Sequence, residues 1–276
     1  MTDPMAPREL LAWYLDAGVD EAIGEQPADR YAAEATDESA KDGADRAPLT
    51  PTPTPMTPMA EPPPSATQNP SGPVQTAYDL AAAASSVDAL GRALETFDDC
   101  PLKKTATNLV FCAGSESARL ILIGEAPGAE EDRQGSPFVG PSGKLLERML
   151  ASVGLDRTQV LISNTVFWRP PGNRTPTMVE IATCQPFVER LIELVDPEFL
   201  VALGGAAAKS LLARNESVGK LRGKWFPYST PRLPRPVQAT ATYHPAYLLR
   251  SPAQKRAVWR DLLAIKKKLT DDEPLK

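Results

Sequence analysis

The sequence predicts an α/β protein, a three-layer α/β/α sandwich around a central, mainly parallel four-stranded sheet. Four short segments rich in Leu or β-branched residues are typical of buried strands: RLILIGEA, VLISNTV, FLVALGG and PVQATATY. Helical patterns separate them, and strands that alternate with helices pair in parallel. In such a sheet the ligand site lies beyond the carboxyl ends of the strands.

Amphipathic patterns define the helices. Ser85 or Ser86 can cap a helix over SSVDALGRALETF, where the folded domain is expected to begin. SGKLLERMLASVG, TMVEIATCQPFVERLIELV and GAAAKSLLAR lie between the strands, and SPAQKRAVWRDLLAIKKKL closes the chain. Each is long enough to cover part of a sheet face.

Composition divides the chain of 276 residues into three parts. Residues 1–24 contain a short helical pattern, which is either a frayed helix or a peptide that folds on a protein partner. Residues 25–84 are acidic and then proline-rich, as in TPTPTPMTPMAEPPPSATQNPSGP, and are expected to form a disordered linker. Residues 85–276 form the predicted domain.

Charge and cysteine content restrict the environment. Residues 1–75 hold 13 Asp/Glu and 4 Lys/Arg, whereas the remainder holds 22 and 26. This mildly basic remainder is compatible with a polyanion partner. There is no apolar run long enough for a membrane span, no secretory pattern at the start, and an odd number of cysteines. We therefore expect a cytoplasmic monomer with free thiols.

Three polar residues follow predicted strands. Glu125 ends the first strand and opens a glycine-rich loop, Asn164 ends the second, and His244, the single histidine of the chain, ends the fourth. Each has a simpler alternative: a solvated acidic loop, a turn-capping amide and a structural histidine. Their shared position at one sheet edge favours a common site.

Three segments of this sequence resemble the signature blocks of the uracil-DNA glycosylase superfamily, and most resemble its type 4 bacterial and archaeal branch. The segments are GEAPGAEEDRQGSPFVGPSGKLL, NTVFWRPPGNRTP and TYHPAYLLRSPAQKRAVWRDL. The resemblance runs from about Cys100 to Leu269. It implies an enzyme that flips uracil out of DNA and hydrolyses the bond between base and deoxyribose.

The resemblance assigns roles to residues of these blocks. Phe138 matches the aromatic on which the flipped base stacks, and Asn164 matches the amide that pairs with the polar edge of uracil. His244 would stabilise the uracil anion as it leaves. Ala126 stands where the best-known branch has a catalytic aspartate, and we place it in the uracil-binding wall. The carboxylate role then falls to Glu125, with Glu131 as the second candidate.

The segment after His244 resembles a loop that enters the minor groove and fills the gap left by the flipped base. Leu248 and Arg250 are the candidates for this contact, with Leu249 equally suitable. Further candidates contact the DNA backbone. These are Ser142, Lys144 and Lys255.

Type 4 enzymes typically carry a four-iron four-sulfur cluster on four cysteines. Here the matching positions are Cys100, Lys103, Trp168 and Cys184. Lys and Trp cannot replace thiolate ligands, so the sequence predicts no cluster and no other metal. Trp168 is expected to fill the vacated volume.

The leading hypothesis is a monofunctional uracil-DNA glycosylase that initiates base-excision repair. Two alternatives remain open at this point: a glycosylase for other deaminated bases such as hypoxanthine or xanthine, and a DNA-binding module without turnover. Asn164 favours uracil, and the joint presence of Glu125, Asn164 and His244 favours an enzyme.

Overall fold

A computed structural model describes residues 72–271, and a six-stranded sheet lies at the centre of this region. The strands are β1 (Cys112–Gly114), β2 (Leu120–Gly124), β3 (Val160–Asn164), β4 (Phe199–Leu203), β5 (Phe226–Tyr228) and β6 (Val237–Thr242). Their order across the sheet is β1-β3-β2-β4-β6-β5.

The helices are α1 (Pro73–Ala83), α2 (Val87–Thr96), α3 (Ala129–Gln134), α4 (Pro141–Ala151), α5 (Met178–Val195), α6 (Gly205–Leu212), α7 (Val218–Leu221), α8 (Pro245–Arg250) and α9 (Lys255–Asp271). Short 3₁₀ turns occur at Pro101–Lys104, Pro171–Asn173 and Pro252–Gln254. Within residues 72–271, no helix combines the length and the apolar character that a membrane crossing requires.

The α/β class is confirmed, whereas the expected number of four strands is wrong. The four predicted segments form β2, β3, β4 and β6, which pair in parallel. The edge strands β1 and β5 pair antiparallel with β3 and β6 and make the sheet mixed. Each edge strand has only three residues, too few to produce a recognisable alternation of apolar and polar side chains.

Helices cover both faces of the sheet. Ile121 and Ile123 of β2 belong to an apolar cluster with α1, α2, α5 and α6, whereas Leu120 and Leu122 belong to a second cluster with α4 and α9. Successive strand residues point to opposite faces, so a strand covered on both sides is apolar throughout. All five residues of β2 are buried, and its carboxyl end is therefore fixed in position.

The folded region begins upstream of the predicted boundary. Pro73 to Ala83 form α1, whose Ala77 and Ala81 are buried, so the linker assigned to residues 25–84 is wrong for this stretch. Pro73 occupies the first turn of the helix, where proline is favoured, although in the sequence it looks like the end of the proline-rich tract. The predicted N-terminal helix at residues 1–24 and the linker up to residue 71 lie outside the described residues.

Ser86 caps α2 as one of the two predicted alternatives. Its side-chain oxygen accepts a hydrogen bond from the backbone N–H of Ala89 at 3.1 Å. This satisfies one of the donors that a helix start leaves unpaired. The helix then buries Leu90 and Leu94 against the first apolar cluster.

Candidate active site

A cavity of about 440 Å³ opens beyond the carboxyl ends of β2, β3 and β6. Eight of the residues predicted for the site line it. They are Glu125, Ala126, Glu131, Phe138, Ser142, Asn164, His244 and Arg250. Three chain segments that are distant in sequence therefore supply one shared cavity, because parallel strands bring their carboxyl ends to the same edge.

Asn164 is the last residue of β3 and presents an unpaired acceptor. Its side chain is 1% exposed, and its Oδ1 has no hydrogen-bond partner among the described residues. A buried carbonyl oxygen without a partner costs about 1–3 kcal/mol. The arrangement can hold a ligand that brings an N–H donor to this oxygen.

Phe138 is held in a left-handed backbone conformation, with φ of 54°. Arg157 fixes this turn, since its Nη1 donates to the Phe138 carbonyl at 2.8 Å. Close packing requires glycines on both sides of Phe138. A Cβ on Gly143 would lie 1.8 Å from the Phe138 carbonyl oxygen, and a Cβ on Gly124 would lie 2.6 Å from the Phe138 ring and 2.5 Å from Asn164 Oδ1. The glycine-rich loop therefore lets an aromatic ring and an amide approach each other.

His244 is a neutral imidazole with a defined tautomer. Burial first and the positive charge of Arg250 second lower its pKa to about 4, although the Glu131 carboxylate partly opposes the shift. Its Nδ1 accepts the backbone N–H of Ala246 at 3.1 Å, at the start of α8. A neutral ring that accepts at Nδ1 carries its proton at Nε2, so the ring offers one N–H donor.

The two candidate carboxylates differ in their surroundings. Glu131 is 7% exposed and accepts backbone N–H groups from Gly128 at 3.2 Å, Val139 at 3.0 Å and Gly140 at 2.9 Å. Glu125 is half-buried on the cavity wall, and no hydrogen bond to its carboxylate occurs in the region from 72 to 271. Glu131 therefore holds the loop together, whereas Glu125 is available to a water molecule or a substrate.

The cavity mouth includes residues that sequence reasoning missed. Arg174 lines the cavity and pairs with Glu180 through two contacts of 2.6 and 2.9 Å. The Arg174 guanidinium lowers the pKa of Glu180 to about 2, and the backbone N–H of Thr177 supports this shift. The sequence carries a usable signal, because Thr177 and Glu180 form a capping box at the start of α5. The capping box predicts where the helix begins, but it does not predict that Arg174 is the ion-pair partner of Glu180.

The structure separates the two candidate leucines. Leu248 is 1% exposed and packs in the second apolar cluster, so its proposed insertion into DNA is wrong. Leu249 is 46% exposed beside Arg250. Lys255 is exposed at the start of α9 but does not line the cavity, and neither does Leu249.

Comparison with known proteins agrees with this geometry. The family model of the uracil DNA glycosylase superfamily matches residues 111–263, which include all three segments that form the cavity. This chain belongs to the uracil DNA glycosylase superfamily.

Several relatives within the superfamily are named type-4 uracil-DNA glycosylase. The chain is 40% identical over 171 residues to the protein of Archaeoglobus fulgidus, covering 60% of this chain and 85% of that protein. It is 38% identical over 173 residues to the protein of Pyrobaculum aerophilum, covering 61% and 87%. It is 39% identical over 166 residues to the protein of Thermotoga maritima, covering 59% and 84%.

The four positions that the sequence resemblance to type 4 enzymes assigns to cluster ligands do not fit a four-iron cluster here. Lys103 places its ammonium 3.0 Å from the Phe97 carbonyl and 2.7 Å from the Asp98 carboxylate. Trp168 is 2% exposed, and its ring lies 6.0 Å from that ammonium. A cation and a large apolar ring thus occupy two of the four positions. No group of three or more His, Cys, Asp or Glu residues suited to a metal occurs within residues 72–271.

Proposed function

We propose that this chain releases uracil from DNA by hydrolysing its N-glycosidic bond, as a monofunctional glycosylase that initiates base-excision repair. The observation that carries the proposal is the unpaired Oδ1 of Asn164, buried in a cavity with Phe138 and His244. Membership of the superfamily and the names of the type-4 relatives support the same activity.

Asn164 accounts for the choice of base. Uracil presents an N3–H donor and an O4 acceptor, which match Oδ1 and Nδ2 of one amide. Cytosine presents the opposite pattern at this edge, so both groups of the buried amide would stay unpaired. The resulting discrimination is about 10³-fold or more for a site that hydrogen-bonds its ligand in this way. Phe138 provides the apolar surface on which the extruded base stacks.

His244 and Glu125 perform complementary parts of the hydrolysis. When the bond between uracil N1 and the sugar C1′ breaks, its electron pair goes to uracil, and the Nε2–H of His244 donates to uracil O2 as negative charge develops there. Glu125 orients a water molecule towards C1′ and accepts its proton as the new C–O bond forms. Solvent then protonates the released uracil anion.

The cavity lining supports hydrolysis without strand cleavage, because no lysine that could attack C1′ lies among the described residues of the cavity wall.

On the DNA side, Leu249 is proposed to fill the gap left by the base, with Arg250 beside it at the minor groove. Ser142, Lys144 and Lys255 are proposed contacts to backbone phosphates.

We also propose that the enzyme works without an iron–sulfur cluster, because Lys103 and Trp168 occupy two ligand positions. Iron analysis and a visible absorption spectrum of the purified protein test this directly. We expect less than one iron per chain and no absorption band of a cluster. The monomeric state, the cytoplasmic location and a protein partner for residues 1–24 stay predictions.

The test of the activity uses a labelled oligonucleotide with one uracil, followed by alkali to reveal abasic sites. Matched oligonucleotides carry hypoxanthine, xanthine or cytosine at the same position. We expect cleavage at uracil, a loss of about 10²–10³-fold in single-turnover rate for His244→Ala, and weaker discrimination against cytosine for Asn164→Asp. Parent-rate cleavage by His244→Ala would contradict the mechanism, and preferential release of hypoxanthine or xanthine would contradict the substrate. Binding of DNA with no release of any base would indicate a non-catalytic module.

A further inference from the structure

Two thiols contact each other in the core, away from the catalytic cavity. Cys100 and Cys184 are both fully buried, and their sulfur atoms lie 3.9 Å apart. Both are free cysteines, and 84 positions separate them in the chain. Neither lines the cavity that the proposed hydrolysis uses.

The two sulfurs lie in apolar surroundings, with each other as the nearest group that can react. Both sulfurs belong to the first apolar cluster, together with Phe97, Phe167 and Phe187. Lys103 directs its ammonium to the backbone carbonyl of Phe97. Since no third thiol, histidine or carboxylate forms a metal site with the pair among the described residues, each sulfur has the other as its reactive neighbour.

We propose that Cys100 and Cys184 close to a reversible disulfide when the protein is exposed to peroxide. A disulfide needs sulfurs about 2.05 Å apart. Rotation of the two side chains has to shorten the present contact by roughly 2 Å, and a buried apolar pocket already holds both sulfurs in one place. The pair is thus a modification site, distinct from the hydrolytic cavity.

The oxidation balances with peroxide as the electron acceptor. The Cys100 sulfur attacks one oxygen of hydrogen peroxide and becomes a sulfenic acid, while the other oxygen leaves as water. The Cys184 sulfur then displaces the hydroxyl group of the sulfenic acid, which leaves as a second water with the thiol proton. Two thiols and one peroxide give one disulfide and two waters.

For peroxide to reach the buried sulfurs, the short segment that begins at Cys100 has to open locally. This segment contains one 3₁₀ turn, Pro101–Lys104, in which Leu102 packs in the first apolar cluster and Lys103 pairs with Asp98, whose carboxylate is 84% exposed. Exposed ion pairs contribute little to stability. Local opening of such a segment is less costly than global unfolding.

The cross-link joins the segment after α2 to α5. Cys184 lies inside α5, and Cys100 precedes the turn at Pro101. A bond between residues so distant in the chain restricts the unfolded state and raises stability. We therefore expect oxidation to raise the thermal midpoint and to leave uracil release within about twofold, since the cavity residues are not altered.

The experiment treats the full-length protein with hydrogen peroxide and then counts thiols under denaturing conditions. We expect the count to fall from three, the number of cysteines in the chain, to one, and dithiothreitol to restore it. Peptide mapping without reductant should identify the Cys100–Cys184 link. The thermal midpoint should rise on oxidation and return on reduction.

Matched variants separate this pair from the third cysteine. The third cysteine, Cys112, lies in β1, and the proposal gives it no part in the link. Cys112→Ala should keep the peroxide-dependent rise in thermal midpoint, and Cys184→Ala should lose it. An unchanged thiol count, a link through Cys112, a rise that persists in Cys184→Ala, or stoichiometric iron on the purified protein would each overturn the proposal. None of these results depends on the glycosylase activity.

Discussion

His244 and Phe138 pack against each other in the candidate site, with ring centroids 5.5 Å apart and ring planes inclined by 31°. Phe138 is 4% exposed and helps to exclude water from the imidazole. The residue proposed to stack on uracil therefore also contributes to the desolvation that keeps His244 neutral.

Stability should depend on pH through this one imidazole. The pKa of His244 is about 4 in the folded chain, because of burial first and Arg250 second, against 6.5 in the unfolded chain. Between these values the unfolded state binds a proton that the folded state does not, so the free energy of unfolding decreases as pH falls from 6.5 to 4. The total loss is about 3 kcal/mol, and there is no loss above this window.

Urea unfolding of the parent and of His244→Gln at several pH values measures this contribution. The difference in free energy of unfolding between the two proteins should change with pH only inside the window, and the chain has no other histidine that could mask this change. Glu180, with a pKa lowered to about 2 by Arg174, affects stability only below about pH 4.5. Identical slopes for the parent and the variant would show that His244 is not desolvated.

Glu125 and Glu131 should give opposite results when each is changed to glutamine. Glu125→Gln removes the group proposed to orient water, so the single-turnover rate should fall by about 10²-fold with an unchanged thermal midpoint. Glu131→Gln weakens three backbone hydrogen bonds and should cost about 1.5–3 kcal/mol of stability. A rate loss confined to Glu131→Gln would transfer the catalytic role to that residue.

The adjacent leucines provide a matched pair for the DNA contact. Leu249→Ala should leave stability within about 0.5 kcal/mol and lower the rate on double-stranded DNA, with little effect on single-stranded DNA. Leu248→Ala should cost about 2–5 kcal/mol of stability, because that side chain is buried. Chemical denaturation and rates on both substrates check this. Equal rates for the parent and Leu249→Ala on double-stranded DNA would remove Leu249 from the interface.

Gly124 should not tolerate a methyl group. The Cβ of Gly124→Ala would press on Asn164 Oδ1 and on the Phe138 ring, so uracil release should fall by at least tenfold as both groups shift. Gly205→Ala is the control, since a Cβ at that position meets no atom within 4 Å. The comparison requires single-turnover rates and thermal midpoints of both variants. Parent activity in Gly124→Ala would show that the amide and the ring need not approach so closely.

The sequence predicted the central strands and the residues at their ends because both depend on local pattern. The strands β2, β3 and β4 are short, largely apolar runs; Asn164 ends β3, whereas Glu125 and His244 follow β2 and β6 within two residues. Parallel pairing of the strands is then enough to predict that these ends meet at one edge of the sheet. The segments β1 and β5 lack enough residues for any pattern.

Other features required tertiary structure. Leu248 and Leu249 are equivalent in sequence, and only the direction of α8 shows which one is buried. The sequence did not indicate the partner of Glu180 either. Arg174 follows the irregular turn at Pro171–Asn173, and no repeating pattern in the sequence predicts its contact with Glu180. The contact between Cys100 and Cys184 joins distant segments and depends on how α5 packs.

A single imidazole in the whole chain makes the candidate site observable by spectroscopy without any substitution. Nitrogen-15 labelling of histidine would produce one pair of ring signals, from Nδ1 and Nε2 of His244. Their chemical shifts distinguish the tautomer that accepts the Ala246 N–H. Titration with free uracil would then report, at one atom, whether a base has entered the cavity.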